Sequence, residues 1–271
     1  MWKPAALLAC AILSACSTQQ PAPLRPDHLF NDTLFPARPA AVDRDAFALS
    51  DSMRRYLEVE IATRLRRSGR LRGLVDALQT DARLKLEYDA SVTRTAAEAF
   101  EARAGNCLAL VIMTAALAKE IGLPVHYQRV YSEEFWTRDG DIRFRSGHVN
   151  VVLGERPVRR QGFSDGTDQI TIDFLPQESL RGQRTREIEE HTIVAMFMNN
   201  RAAESLARGE LGHAYWWARE AVTRDSRFME SYNTLGVIYS RRGNLREAER
   251  VFDHVLESEP ENATGIANLA A

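Results

Sequence analysis

Three residues of this chain have complementary chemistry: Cys107, His148 and Asp173. A thiolate can attack a carbonyl carbon, an imidazole can move the proton, and a carboxylate can hold the imidazole in one tautomer. In a chain with six histidines the order Cys, His, Asp proves little by itself, so local context has to make it specific. Gly105-Asn106 precede Cys107, a nearly unbroken apolar run from Leu108 to Ala118 follows, and Gly122 and Pro124 close it. This pattern predicts a buried helix with Cys107 in its first turn. There the unpaired N–H groups and the positive dipole end favour a thiolate, and the same N–H groups could hold an oxyanion. The position also suits a small buried core cysteine, and position alone does not separate the two readings.

His148 and Asp173 each fall in an alternating segment. In the first, Val149, Val151 and Leu153 share one face and His148, Asn150 and Val152 the other; in the second, Ile170, Ile172 and Phe174 oppose Gln169, Thr171 and Asp173. Each candidate group therefore lies opposite the apolar set of its strand. Val125 to Tyr131 reads as a further strand, and Asp139-Gly140 as the turn of a hairpin. His126, on a strand beside the helix, could contact the site but reads better as a strand histidine near the surface, and Glu133, Glu134, Phe135 and Trp136 read as a rim loop over the cleft. Upstream, residues 45–103 carry helical spacing: Met53, Leu57, Ile61 and Leu65, then Leu71, Leu74, Val75 and Leu78, then Ala96, Ala99 and Phe100. Ligand pairs at short spacing are missing, so neither a zinc site on Cys107, His148 and Asp173 nor any other metal or cofactor is expected.

The chain is 271 residues long, 45% hydrophobic and 27% charged, which argues against a disordered, collagenous or polytopic membrane protein. A formal net charge of −2 leaves no basic excess for nucleic acid. The start, Met-Trp-Lys followed by an apolar stretch to Leu13, reads as a secretory signal. Leu13-Ser14-Ala15-Cys16 resembles the lipobox of bacterial lipoproteins. The resemblance implies removal of residues 1–15, with Cys10 among them, and lipidation of Cys16; Ser17 after it favours the outer membrane. Residues 16–45 hold five of the ten prolines and read as an extended tether, on which Phe30 and Phe35 could dock to the first domain. Cys107 is then the one free thiol, with no partner for an intramolecular disulfide.

Past Thr192 the chain turns helical again. Tyr232, Leu235, Gly236, Tyr239, Gly243, Ala248, Phe252, Val255 and Pro260 resemble a tetratricopeptide repeat. A shift of 34 residues back gives a divergent copy, with Ala202, Gly209, Ala214 and Ala218, and a shift forward reaches Ile266 and Leu269 at the start of a third. Such a short array is marginal alone, so it is expected to pack on the first domain, with Trp216 and Trp217 serving that contact. A peptide groove and a structural cap remain equal readings of it.

Tyr88, the Thr95-to-Phe100 helix, Gly105-Asn106-Cys107, the helix ending Gly122-Leu123-Pro124, Gly147-His148-Val149 and Ile172-Asp173 together resemble the transglutaminase-like superfamily of papain-like cysteine enzymes, over roughly residues 85–180. The resemblance implies Cys107 as nucleophile, His148 as base and acid, and Asp173 as orienting group. Asn106 before the cysteine and Val149-Asn150 after the histidine depart from the commonest family pattern, which bears on substrate rather than on the triad. The expected fold is α+β, a transglutaminase-like domain over residues 46–187 followed by a short all-α tetratricopeptide array over 188–271. The expected function is an envelope-anchored cysteine enzyme acting on an amide or peptide bond through an acyl-thioester, with hydrolysis favoured over transfer. The alternative is a scaffold of the cell envelope that binds a protein partner through the repeats and the cleft.

Overall fold

A computed structural model describes residues 26–80, 84–131, 136–139, 142–145, 148–155, 169–174 and 184–270. Its architecture is α+β, with a small antiparallel sheet among many helices. The first helices arise where the spacing places them, but a π-turn interrupts them. Helix α1 (Asp51–Arg55) starts at Ser50, whose hydroxyl accepts the Met53 N–H, and passes into a π-helical turn over Tyr56–Glu60 closed by Ile61 N–H to Tyr56 O at 3.0 Å. Helix α2 (Ala62–Ser68) and helix α3 (Arg70–Thr80) follow. Met53, Leu57, Ile61, Leu74 and Leu78 all end up buried.

Helix α4 (Ala96–Ala102) is opened by a capping box of Thr95 and Glu98 and closed by left-handed Arg103. Strand β1 (Glu87–Tyr88) then pairs in parallel with β2 (Ala104–Gly105), Tyr88 opposite Gly105. Next comes helix α5 (Cys107–Glu120), with every residue from Leu108 to Ala118 buried. It ends at Gly122, whose φ of 71° suits a residue without a Cβ.

The main sheet has the order β7-β6-β3-β8, formed by β3 (Val125–Tyr131), β6 (His148–Leu153), β7 (Ile170–Ile172) and β8 (Arg184–Ile188), all antiparallel. Of the expected hairpin, β4 (Trp136–Asp139) and β5 (Ile142–Arg145) pair antiparallel, while Gly140 lies outside the described residues. The two-faced reading of the His148 strand changes. Strand β6 lies between β3 and β7 and is buried at all six positions, polar face included. On β7 the alternation persists, with Thr171 exposed and Ile172 buried.

Five helices complete the described chain: α6 (Glu190–Ala207), α7 (Leu211–Arg224), α8 (Met229–Arg242), α9 (Leu245–Ser258) and α10 (Ala263–Leu269). They stack as successive hairpins, and α8 meets α9 closely at Gly236, where the Phe252 ring occupies the space a Cβ would need. Helices α6, α8 and α10 face the sheet-bearing part. Helix α6 packs on α5 and β3, while α8 and α10 approach β5. Polar ties fix the contact. Glu190 receives the Tyr127 hydroxyl at 2.7 Å and pairs with Lys119, and Arg129 pairs with Glu230.

The docking of the proline-rich segment and of the two tryptophans differs from the sequence expectation. From Pro26 onward the segment is folded into three short 3-10 turns, and it docks on α7, α8 and α9. Phe35 stacks on Tyr215 with ring centroids 3.9 Å apart, and Asn31 N–H bonds the hydroxyls of Tyr239 (2.9 Å) and Tyr215 (3.1 Å). Over 26–45 the chain folds onto the array rather than extending as a stem, because its aromatic rings and main-chain groups find partners, while residues 16–25 of the expected tether lie outside the described residues. Trp216 and Trp217 are buried within the helical array. Trp216 donates to Pro36 O at 2.7 Å, and Trp217 packs edge-on against Phe197. No described helix is long and apolar enough to cross a membrane.

Candidate active site

The cysteine is placed by its helix start. Asn106 is the N-cap of α5; its side-chain oxygen accepts the Ala109 N–H at 2.9 Å and its amide nitrogen donates to the Thr93 hydroxyl at 2.8 Å. Asparagine is among the residues best suited to this position. Gly105 is needed one step earlier, because a Cβ there would stand 3.0 Å from that of Ala109. Cys107, the first helical residue, is half-buried and unbridged. Cys10 and Cys16 lie outside the described residues.

His148 is delivered by the first position of β6, 2% exposed. Asp173 comes from the residue just past β7, where the chain leaves the ladder. The imidazole Nε2 lies 2.9 Å from both oxygens of Asp173, whose side chain is 9% exposed. Cys107 lies close enough for its side chain and charge to act on the imidazole. Burial works against its charged form, but the bonds to Asp173 and Cys107, together with their charges, outweigh burial and push its pKa up to about 9.

The three residues named from the sequence therefore meet in one place. His126 is not part of it; it sits on β3 opposite Val152, with Nδ1 3.8 Å from Glu187. Of the expected rim loop, Glu133, Glu134 and Phe135 lie outside the described residues, and Trp136 opens β4. Among the described residues no group of three or more His, Cys, Asp or Glu side chains is arranged to hold a metal ion.

Two neighbours were not assigned roles from the sequence. Tyr88, 54% exposed on the strand beside Gly105, has its phenol pKa raised by partial burial and by the charge of Cys107, so it stays a neutral donor. Thr93, 1% exposed, is the acceptor for Asn106. Tyr88 belongs to the pattern that carries the resemblance but had no role there, and Thr93 lies in no segment with a distinguishing period or spacing, so only the folded chain reveals its contact.

Fold and site together define a Cys–His–Asp constellation at the start of a buried helix beside an antiparallel sheet. Comparisons with protein-family models, with curated proteins and with solved structures find no match to this chain.

Proposed function

We propose that this chain is a transglutaminase-like cysteine enzyme that cleaves or transfers an amide or peptide bond through an acyl-thioester at Cys107. The observation that carries the reading is the buried His148, whose Nε2 lies 2.9 Å from both oxygens of Asp173 and whose pKa is raised further by the neighbouring Cys107. A histidine pKa near 9 keeps the imidazole protonated at neutral pH, ready to give its proton during attack by Cys107.

In the first half of the reaction, the Cys107 sulfur bonds to the substrate carbonyl carbon and the carbonyl π pair moves to oxygen. The N–H groups of Cys107 and Leu108 at the start of α5 are the donors for that oxyanion, since the Ala109 N–H is spent on Asn106. As the C–N bond breaks, the imidazolium gives its proton to the departing amine. In the second half, neutral His148 takes a proton from water, the hydroxide oxygen bonds to the acyl carbon, and the thiolate leaves. An amine in place of water would give transfer by the same steps; hydrolysis is the outcome we favour. Asp173 keeps the ring oriented and its charge stabilised throughout.

The helices after residue 188 are, in this reading, two tetratricopeptide-like hairpins and the start of a third, and they serve the enzyme as a cap. The scaffold alternative is less favoured, because helices α6, α8 and α10 are turned toward the chain's own sheet-bearing part. Lipidation of Cys16 and an outer-membrane address belong to the same proposal and rest on Leu13-Ser14-Ala15-Cys16.

Labelling with a thiol-directed alkylating probe across pH, in wild type and His148→Ala, tests the reading. Fast labelling below the ordinary thiol pKa of about 8.5 is expected in wild type, slowing in the variant. Equal, slow labelling in both proteins overturns it.

A further inference from the structure

The first helix of the repeat-like array reaches the nucleophile through a single threonine. All three polar groups of Thr93 are engaged, and three residues of α6 engage them. The Thr93 N–H donates to Glu204 Oε1 at 2.6 Å, its carbonyl accepts from Arg201 Nη1 at 3.3 Å, and its hydroxyl accepts from Asn200 Nδ2 at 3.2 Å. The hydroxyl also accepts Asn106 Nδ2 at 2.8 Å. A threonine hydroxyl has two lone pairs, and the two amide groups occupy both.

Asn106 presents its Nδ2 to a lone pair of that hydroxyl, and its Oδ1 caps the Ala109 N–H. A flipped amide would set N–H against N–H at Ala109.

We propose that α6, acting through Thr93, holds the Asn106 amide in its capping orientation and so positions the helix start that carries Cys107. Thr93 is a positioning residue, and the repeat-like array is a working part of the active site rather than an appended module. The inference rests on the reading of Cys107 as the nucleophile, but the geometry of the cap can be measured without it.

The test compares the full chain with Thr93→Val and Thr93→Ser. Valine keeps the shape and both main-chain bonds and removes only the hydroxyl; serine retains it. Two readouts are taken: the pH midpoint and rate of Cys107 alkylation, and amide hydrogen exchange at Ala109. Loss of an N-cap partner should speed Ala109 exchange about tenfold and slow alkylation at neutral pH by about three- to tenfold in the valine protein, with serine restoring both. A folded Thr93→Val protein with wild-type exchange at Ala109 and a wild-type alkylation midpoint overturns the proposal. Should the valine protein not fold, Asn200→Ala carries the same readouts, because it removes the α6 donor to the Thr93 hydroxyl. Equal alkylation of wild type and His148→Ala would strike the enzyme reading alone, while Ala109 exchange in the valine and serine proteins would still decide the relay.

Discussion

His148 holds its proton against burial, and the reason is its two partners. Because the folded-state pKa, about 9, lies above the ordinary 6.5, the stabilisation it brings is complete below about pH 6.5 and is lost as pH rises through about 9. Asp173→Asn keeps the shape of the carboxylate and removes its charge. The stability gap between wild type and this variant, read from denaturant midpoints, should be widest near pH 6 and close by about pH 10. The same substitution should slow thiol alkylation at neutral pH, since a weaker imidazolium partner leaves less thiolate at Cys107; unchanged labelling would mean that Asp173 does not orient the ring.

At the scale of the element, the start of α5 is the most demanding segment. It needs a residue without a Cβ at Gly105, a side-chain acceptor at Asn106 and a small nucleophile at Cys107, one after another. Asn106→Ala should cost about 1 kcal/mol in equilibrium unfolding, in line with the loss of an N-cap, and it should depress Cys107 alkylation more than that loss of stability alone explains. The hairpin of α8 and α9 is equally tight at Gly236. Gly236→Ala would drive a methyl into the Phe252 ring, and overpacking of this kind costs about 1–3 kcal/mol, measurable as a lower melting temperature with the active site left intact. These elements were the most legible parts of the sequence. The apolar run 108–118, the strand Val125–Tyr131 and the hairpin pairing of β4 with β5 each follow from contacts within a few residues, and each is found in the folded chain. The π-turn at Tyr56–Glu60 was not legible, because its hydrophobic spacing matches an ordinary helix.

At the scale of the molecule, the segment from Pro26 to Asp43 ties the chain to its helical array. Asp32 is held by the Tyr215 hydroxyl at 2.5 Å and by Arg219 at 2.9 Å, and Arg38 reaches Glu220 at 3.0 Å. Phe35, 8% exposed, is the apolar centre of the contact. Phe35→Ala should therefore destabilise the protein by about 3 kcal/mol in denaturant unfolding and open the segment to limited proteolysis; a neutral result would mean that the strap contributes little. The sequence reading placed this segment as a tether because proline content describes what a segment does in isolation, whereas docking depends on rings some 180 residues away.

What the sequence determined by itself was local: where helices and strands begin, that Cys107 stands at a helix start, and that His148 and Asp173 sit at strands. Those features depend on side chains a turn or a strand pair apart, so a period or a cap residue reveals them. Tertiary structure alone decided which nitrogen of His148 meets Asp173, that β6 is covered on both faces, and that α6 reaches Asn106 through Thr93. Each of these is a contact closed over a long loop. Its partners are chosen by how helices and sheet pack against one another, and no spacing along the chain records that choice.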